Sequence, residues 1–83
     1  MKTKIEKIIN DSTKEALLLM LVSLMEESTE DVKNEVGNNI DYIKSYLITM
    51  LEREKDYIDE WYSIIEEINE IPQTDIKKEL LDN

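Results

Sequence analysis

The sequence predicts an all-α protein, and three observations carry that prediction. One Gly and one Pro in 83 residues leave few interruptions to helices. Four Tyr, one Trp and no Phe starve a β-sheet of its usual residues. From Ile40 onward, apolar positions recur at spacings of three and four, the period of a helix face. The architecture expected is a helical hairpin of two long helices with short flanking helices, forming a small bundle within a single domain of residues 1–83.

The first long helix is expected from about Lys2 to Glu27. At 100° per residue, Ile5, Ile8, Ile9, Ala16, Leu19 and Met20 share one face, so the phase runs through Asp11-Ser12-Thr13 without a break. A competing signal is Ser12 followed by Glu15, the spacing of a capping box, which would restart the helix there. Residues 16–25, Ala-Leu-Leu-Leu-Met-Leu-Val-Ser-Leu-Met, offer almost no polar side chain on any side. Such a segment must be buried all round. Ten residues rise only about 15 Å as a helix, half the thickness of a bilayer core, so protein must supply the burial.

Ser28 or Thr29 reads as the N-cap of a short helix from about Thr29 to Val36, with acids in the first turn where the helix dipole favours them. Gly37-Asn38-Asn39 reads as a stop and a fresh cap. The second long helix is then expected from Ile40 to Ile71. Ile40, Ile43, Leu47, Met50, Tyr57, Trp61, Ile64, Ile68 and Ile71 follow a heptad seam whose single charged member is Glu54. Leu51, Ile58 and Ile65 widen the stripe toward what a bundle requires. At Glu54 either the seam is partly exposed midway or the carboxylate pairs with a Lys such as Lys14 or with a tyrosine hydroxyl, and a buried polar residue there would set register or oligomeric state. Pro72 ends the helix, and Thr74 caps a last one of about Asp75 to Leu81, whose Ile76, Leu80 and Leu81 dock back.

A two-helix hairpin cannot enclose residues 16–25. Either the short helices close a three- or four-helix bundle, or two hairpins pair as a four-helix homodimer. The sequence reading prefers the dimer, with Leu18, Val22, Met25, Leu47 and Trp61 as core or dimer residues.

The formal net charge is −10. It is unevenly placed: up to Met25 four Lys face three acids, a balance of +1, whereas from Glu26 six bases face seventeen acids, a balance of −11. Such a surface repels nucleic acid and anionic membrane and attracts basic protein surfaces, subject to screening. No Cys occurs, so no disulfide framework marks secretion. The basic start followed by an apolar run has the outline of a signal peptide, yet Asp11 and Glu15 interrupt it and Met25-Glu26-Glu27 is no small-residue cleavage site. A cytoplasmic protein is the expectation.

The absence of both His and Cys removes the commonest general base, nucleophile and transition-metal ligands. Glu27/Glu30 and Glu67/Glu70 have Glu-x-x-Glu spacing, and Glu79/Asp82 has Glu-x-x-Asp spacing, the pairs with which helical nucleotide pyrophosphohydrolases gather Mg²⁺. With twenty acids in the chain such spacings arise by chance, and none is framed by apolar inward positions. The expectation is therefore a non-enzymatic protein with no cofactor and no metal.

The feature with most bearing on function is the far side of the second long helix. Glu52, Asp56, Asp59, Glu66 and Glu70 occupy its f and c positions, with Ser63 in the gap, as a line about 27 Å long. Neighbours lie about 5 to 6 Å apart, within a side chain's reach of the phosphate spacing along a nucleic-acid strand. Glu60 and Glu67 broaden the line, and no cation follows Lys55 before Glu70. Tyr42, Tyr46, Ile48 and Tyr62 also face away from the seam; tyrosines are common interface anchors, and Tyr62 sits beside the acids. In composition, as a small, acidic, cysteine-free helical protein, the chain looks like phage-encoded inhibitors that imitate DNA, some anti-CRISPR proteins among them, and like helical bacteriocin immunity proteins. That likeness implies an inhibitor of a basic, nucleic-acid-binding partner, with Glu52, Asp56, Asp59, Glu60, Tyr62, Glu66, Glu67 and Glu70 as the contact. The competing expectation is a structural or assembly module, homodimerising or acting as an adaptor, whose acids serve solubility.

Overall fold

A computed structural model describes residues 2–82. Its organising element is the helix formed by the apolar run. Helix α2 (Lys14–Met25) has Ala16 through Val22 buried in an unbroken row, and Ser23 is its one exposed residue. Four helices lie against it: α3 (Thr29–Val36), α4 (Ile40–Arg53), α5 (Ile58–Asn69) and α6 (Gln73–Asp82). The first helix, α1 (Lys2–Asp11), packs instead on α4 and α5. The radius of gyration is 11.6 Å, close to the roughly 12 Å expected of a compact chain this long. One chain thus supplies the all-round burial that residues 16–22 demand. Leu18, Val22 and Leu47 are buried within it, and Met25 and Trp61 are partly buried against the same core. Enclosure of the apolar run, the reason for preferring two paired hairpins, requires no second copy.

Neither long helix is continuous. The first breaks at Ser12-Thr13, the competing signal in the sequence, although the cap is displaced by one residue. Thr13 is extended (φ −72°, ψ 162°) and its hydroxyl oxygen accepts from the Ala16 N–H at 3.2 Å. Ser12 closes the preceding helix, its hydroxyl donating to the Ile8 carbonyl at 2.6 Å. The Lys44 ammonium donates to the Asn10 carbonyl at 2.9 Å, placing a positive charge at the negative end of α1.

The second long helix breaks at Glu54, which is exposed and ends α4; a single 3₁₀ turn, Lys55–Tyr57, leads into α5. The seam is thus exposed midway, and Glu54 is not a buried register device. The physical reason lies in the run Glu52-Arg53-Glu54-Lys55-Asp56: five consecutive charged residues offer no apolar side chain to hold that turn against the core. Tyr57, in the same stretch, is 54 % exposed and does not belong to the core.

The remaining boundaries follow local chemistry. Ser28 caps α3, accepting from the Asp31 N–H, which leaves Thr29 free to turn inward. Among the described residues Thr29 is the buried polar residue of the core, and its hydroxyl donates to the Leu80 carbonyl at 2.7 Å, tying the start of α3 to the end of α6. Gly37 ends α3 at φ +71°, a conformation costly to residues with a Cβ, and Asn39 caps α4 through the Tyr42 N–H. Helix α6 begins two residues earlier than Thr74 would set it: the Pro72 carbonyl accepts from the Ile76 N–H, and Thr74 is exposed in the first turn. Ile76 and Leu80 dock as the spacing predicts, whereas Leu81 is 87 % exposed. Gln73 pins the start of α6 to α2, accepting from the Thr13 hydroxyl and donating to the Glu15 carboxylate at 2.7 Å. Among the described residues no helix is long and apolar enough to cross a membrane.

Candidate functional site

The break at Glu54 divides the predicted acidic line among three elements. Glu52 stands in the last turn of α4, Asp56 in the 3₁₀ turn, and the others on or just beyond α5. A straight 27 Å row is therefore absent. What survives is a shorter face of about 17 Å from Asp59 to Glu70.

Helix α5 explains its own orientation. Ile65 and Ile68 are buried and Ile58, Trp61 and Ile64 are partly buried, so the opposite arc turns outward. On that arc Asp59, Ser63, Glu66 and Glu70 fall within about 60° of one another, with Glu60 and Glu67 on the adjoining side. All six are exposed. Tyr62 lies at the border of the apolar stripe and is partly buried against the core, so it flanks the acids without projecting among them.

The placement of these acids along α5 is not what the helix itself prefers. Asp59 and Glu60, in the first turn, interact favourably with the positive end of the dipole. Glu66 and Glu67 lie toward the negative end, Glu70 is the C-cap, and no basic residue occupies the last turn. Glu66 and Glu70 are also like charges at i, i+4, worth a few tenths of a kcal/mol against the helix. Three carboxylates thus stand where they oppose the helix.

Two further features were not anticipated. Where α3 meets α4, the Tyr46 hydroxyl donates to Glu35 at 3.1 Å, and the Tyr42 ring stands 6.2 Å from that of Tyr46. Partial burial raises the Tyr46 pKa, aided by the bond to Glu35 and that residue's charge. Glu27 is pushed above the usual carboxylate range, first by loss of solvation, then by the charges of Glu35 and Asp31 and a hydrogen bond with Glu35. The i, i+4 relation of Asp31 and Glu35 was visible in the sequence; the approach of Glu27 and Tyr46 depends on how α3 folds back. Of the exposed tyrosine group, Tyr42 remains 52 % exposed, while Tyr46 and Ile48 are partly covered.

The second feature is an apolar cleft of about 340 Å³ at the α4–α5 break, lined by Ile5 and Glu6 of α1, Ile48, Leu51 and Glu52 of α4, then Lys55 and Ile58. It has no sequence signature because the broken helix creates it. Ile48, which faced away from the predicted seam, forms one of its walls.

Among the described residues no group of three or more acidic side chains is arranged to hold a metal ion. The Glu27/Glu30, Glu67/Glu70 and Glu79/Asp82 spacings do not converge into one. No family model, curated protein or solved structure matches the chain, so its chemistry has to be argued from its own residues.

Proposed function

We propose that the protein is a non-enzymatic binding protein whose acidic α5 face docks on a basic protein surface and blocks it, the partner being a nucleic-acid-binding protein of the cytoplasm. The observation that carries this reading is the position of Glu66, Glu67 and Glu70. Acids kept only to hold the surface negative would serve as well on faces and ends of helices where the dipole welcomes them. Here they sit against the dipole, exposed, on a helix without a cation. A basic groove would relieve that repulsion on binding, and the charge would steer the encounter and make it salt-sensitive.

The test is capture from a lysate of the source organism, at about 50 mM and about 500 mM salt, with wild type and the charge-reversed Asp59→Lys, Glu66→Lys variant. Salt at the higher value shortens the Debye length to well under 10 Å. The expected result is that wild type retains basic, nucleic-acid-binding proteins at low salt, that added duplex DNA displaces them, and that the variant retains none. Retention indifferent to salt, to DNA and to reversal would remove the reading.

A second reading, the assembly module, is favoured by the exposed apolar side chains Ile40, Tyr42, Tyr57 and Leu81. It must use these, since Leu18, Val22 and Leu47 are committed to the interior. Sedimentation equilibrium at micromolar concentration separates the two: self-association insensitive to salt and abolished by Tyr42→Ser would favour assembly.

A further inference from the structure

The cleft at the helix break lies outside the α5 acids, and its aliphatic walls are continuous with the core. Its floor is aliphatic, made by the buried Ile5 and Leu51 and the partly buried Ile48 and Ile58. Its volume of about 340 Å³ is at the small end of ligand-sized pockets, room for one or two aliphatic side chains. Among the described lining residues two carboxylates, Glu6 and Glu52, stand against one cation, Lys55, which Glu54 and Asp56 flank in sequence, and the C-terminal carbonyls of α4 end beside them. The positive end of α5, which also opens here, already carries Asp59 and Glu60. An anionic amphiphile would meet repulsion on entry, and a neutral one would gain nothing from the rim.

We infer that this cleft is the anchor pocket for the partner, receiving a leucine-like side chain that is flanked by lysines or arginines. The inference rests on the proposed function for the basic character of the partner and adds where it is gripped. Charge brings the basic segment to the acidic surface; the aliphatic anchor, desolvated in the cleft, gives the complex its lifetime. Interface energy concentrates in such enclosed apolar anchors, while exposed charge pairs around them govern approach.

The probe is the hexapeptide Lys-Lys-Leu-Leu-Lys-Lys, compared with Lys-Lys-Ser-Ser-Lys-Lys and Glu-Glu-Leu-Leu-Glu-Glu, titrated into the isotope-labelled full chain and followed by amide and methyl chemical shifts. The leucine peptide is expected to shift Ile5, Ile48, Leu51 and Ile58 and to bind about tenfold tighter than the serine peptide, the difference one buried aliphatic side chain makes. The acidic peptide should bind more weakly than either. Ile48→Trp and Ile58→Trp fill the cleft from opposite walls, and each should abolish the leucine advantage while leaving the serine peptide's affinity unchanged; using both guards against one misfolding. Equal binding of the two lysine peptides, with shifts confined to Asp59–Glu70, would overturn the anchor pocket and leave the acidic-face reading intact. Binding of the acidic peptide as tight as that of the basic one would overturn the requirement for a cationic flank. Absence of shifts with all three at about 1 mM would overturn the anchor pocket, and the acidic face would then be judged by its charge-reversal test alone.

Discussion

Truncation of leucines at three depths tests whether one chain encloses α2. Leu21 is 0 % exposed and Leu18 2 %, neighbours one turn apart on one flank of α2, whereas Leu81 on α6 is 87 % exposed. Leu→Ala removes three carbon groups at ~0.8 kcal/mol each, a transfer loss of roughly 2.4 kcal/mol for a fully buried side chain. The cavity left in a core walled by four helices raises this to about 3 to 4 kcal/mol for Leu21→Ala and Leu18→Ala. For Leu81→Ala, with little to lose, the same arithmetic gives roughly 0.3 kcal/mol. A chain this long has a total stability of about 4 to 12 kcal/mol, so either buried variant removes a large share of it. The assay is urea denaturation followed by far-ultraviolet circular dichroism at two protein concentrations about fiftyfold apart. The expected outcome is a large loss at both buried sites and midpoints independent of concentration. A cost at Leu18 below ~1 kcal/mol, or a wild-type midpoint that rises with concentration, would show that a second copy completes the burial and would refute enclosure by a single chain.

Three smaller perturbations test local chemistry. Thr29→Val keeps the shape of the side chain but orphans the buried Leu80 carbonyl, and should cost about 1 to 3 kcal/mol and speed amide exchange at the end of α6; Thr29→Ser should recover much of the loss. Glu26 holds φ +56° at the C-cap of α2, where a side chain costs about 1 to 2 kcal/mol, so Glu26→Gly should raise the thermal midpoint despite glycine's greater freedom when unfolded. Glu27 titrates above its ordinary 4.5 in the folded chain; the folded state therefore binds the proton more tightly, and the associated stability is present at low pH and lost as pH rises through the raised value. Glu27→Gln should accordingly melt above wild type at pH 7, with the gap closing by about pH 4; an equal gap at both would disprove the raised titration of Glu27.

Much of the fold could be read from the chain because local chemistry and burial agree. Helix α3 begins after Ser28 and ends before Gly37 as the residues dictate, Asn39 caps α4, and Pro72 closes what precedes it. The break at Glu54 escaped, and the one at Ser12-Thr13 was signalled only by the Ser12–Glu15 spacing, for a single physical reason: the apolar stripe resumes in phase beyond each. Leu47 and Ile65 are both fully buried and 18 residues apart, five whole turns at 3.6 per turn, so a continuous helix and a broken one present the same periodicity. Ile9 and Ala16 are likewise 7 residues apart, within about 20° of two turns. Periodicity reports which side faces inward; it carries no information on whether the axis is straight. The charged run from Glu52 to Asp56 held that information, as a stretch where nothing fastens the helix down.

The same distinction separates what the site owes to sequence from what it owes to the fold. That Asp59, Glu66 and Glu70 would share an outward arc followed from their spacing within α5 and survives the break. That Glu52 and Asp56 would extend the line depended on a straight axis and does not. In exchange, bending the chain at Glu54 brings Ile58 toward Ile5 of α1 and leaves an unfilled aliphatic cleft at the upstream end of the acids. A continuous rod would offer charge alone, and charge alone discriminates poorly between basic surfaces once salt screens it. A bent one offers a short acidic face and an apolar socket at its end; on the function proposed above, a partner would have to match these two dissimilar contacts together, and selectivity among basic proteins would follow from that.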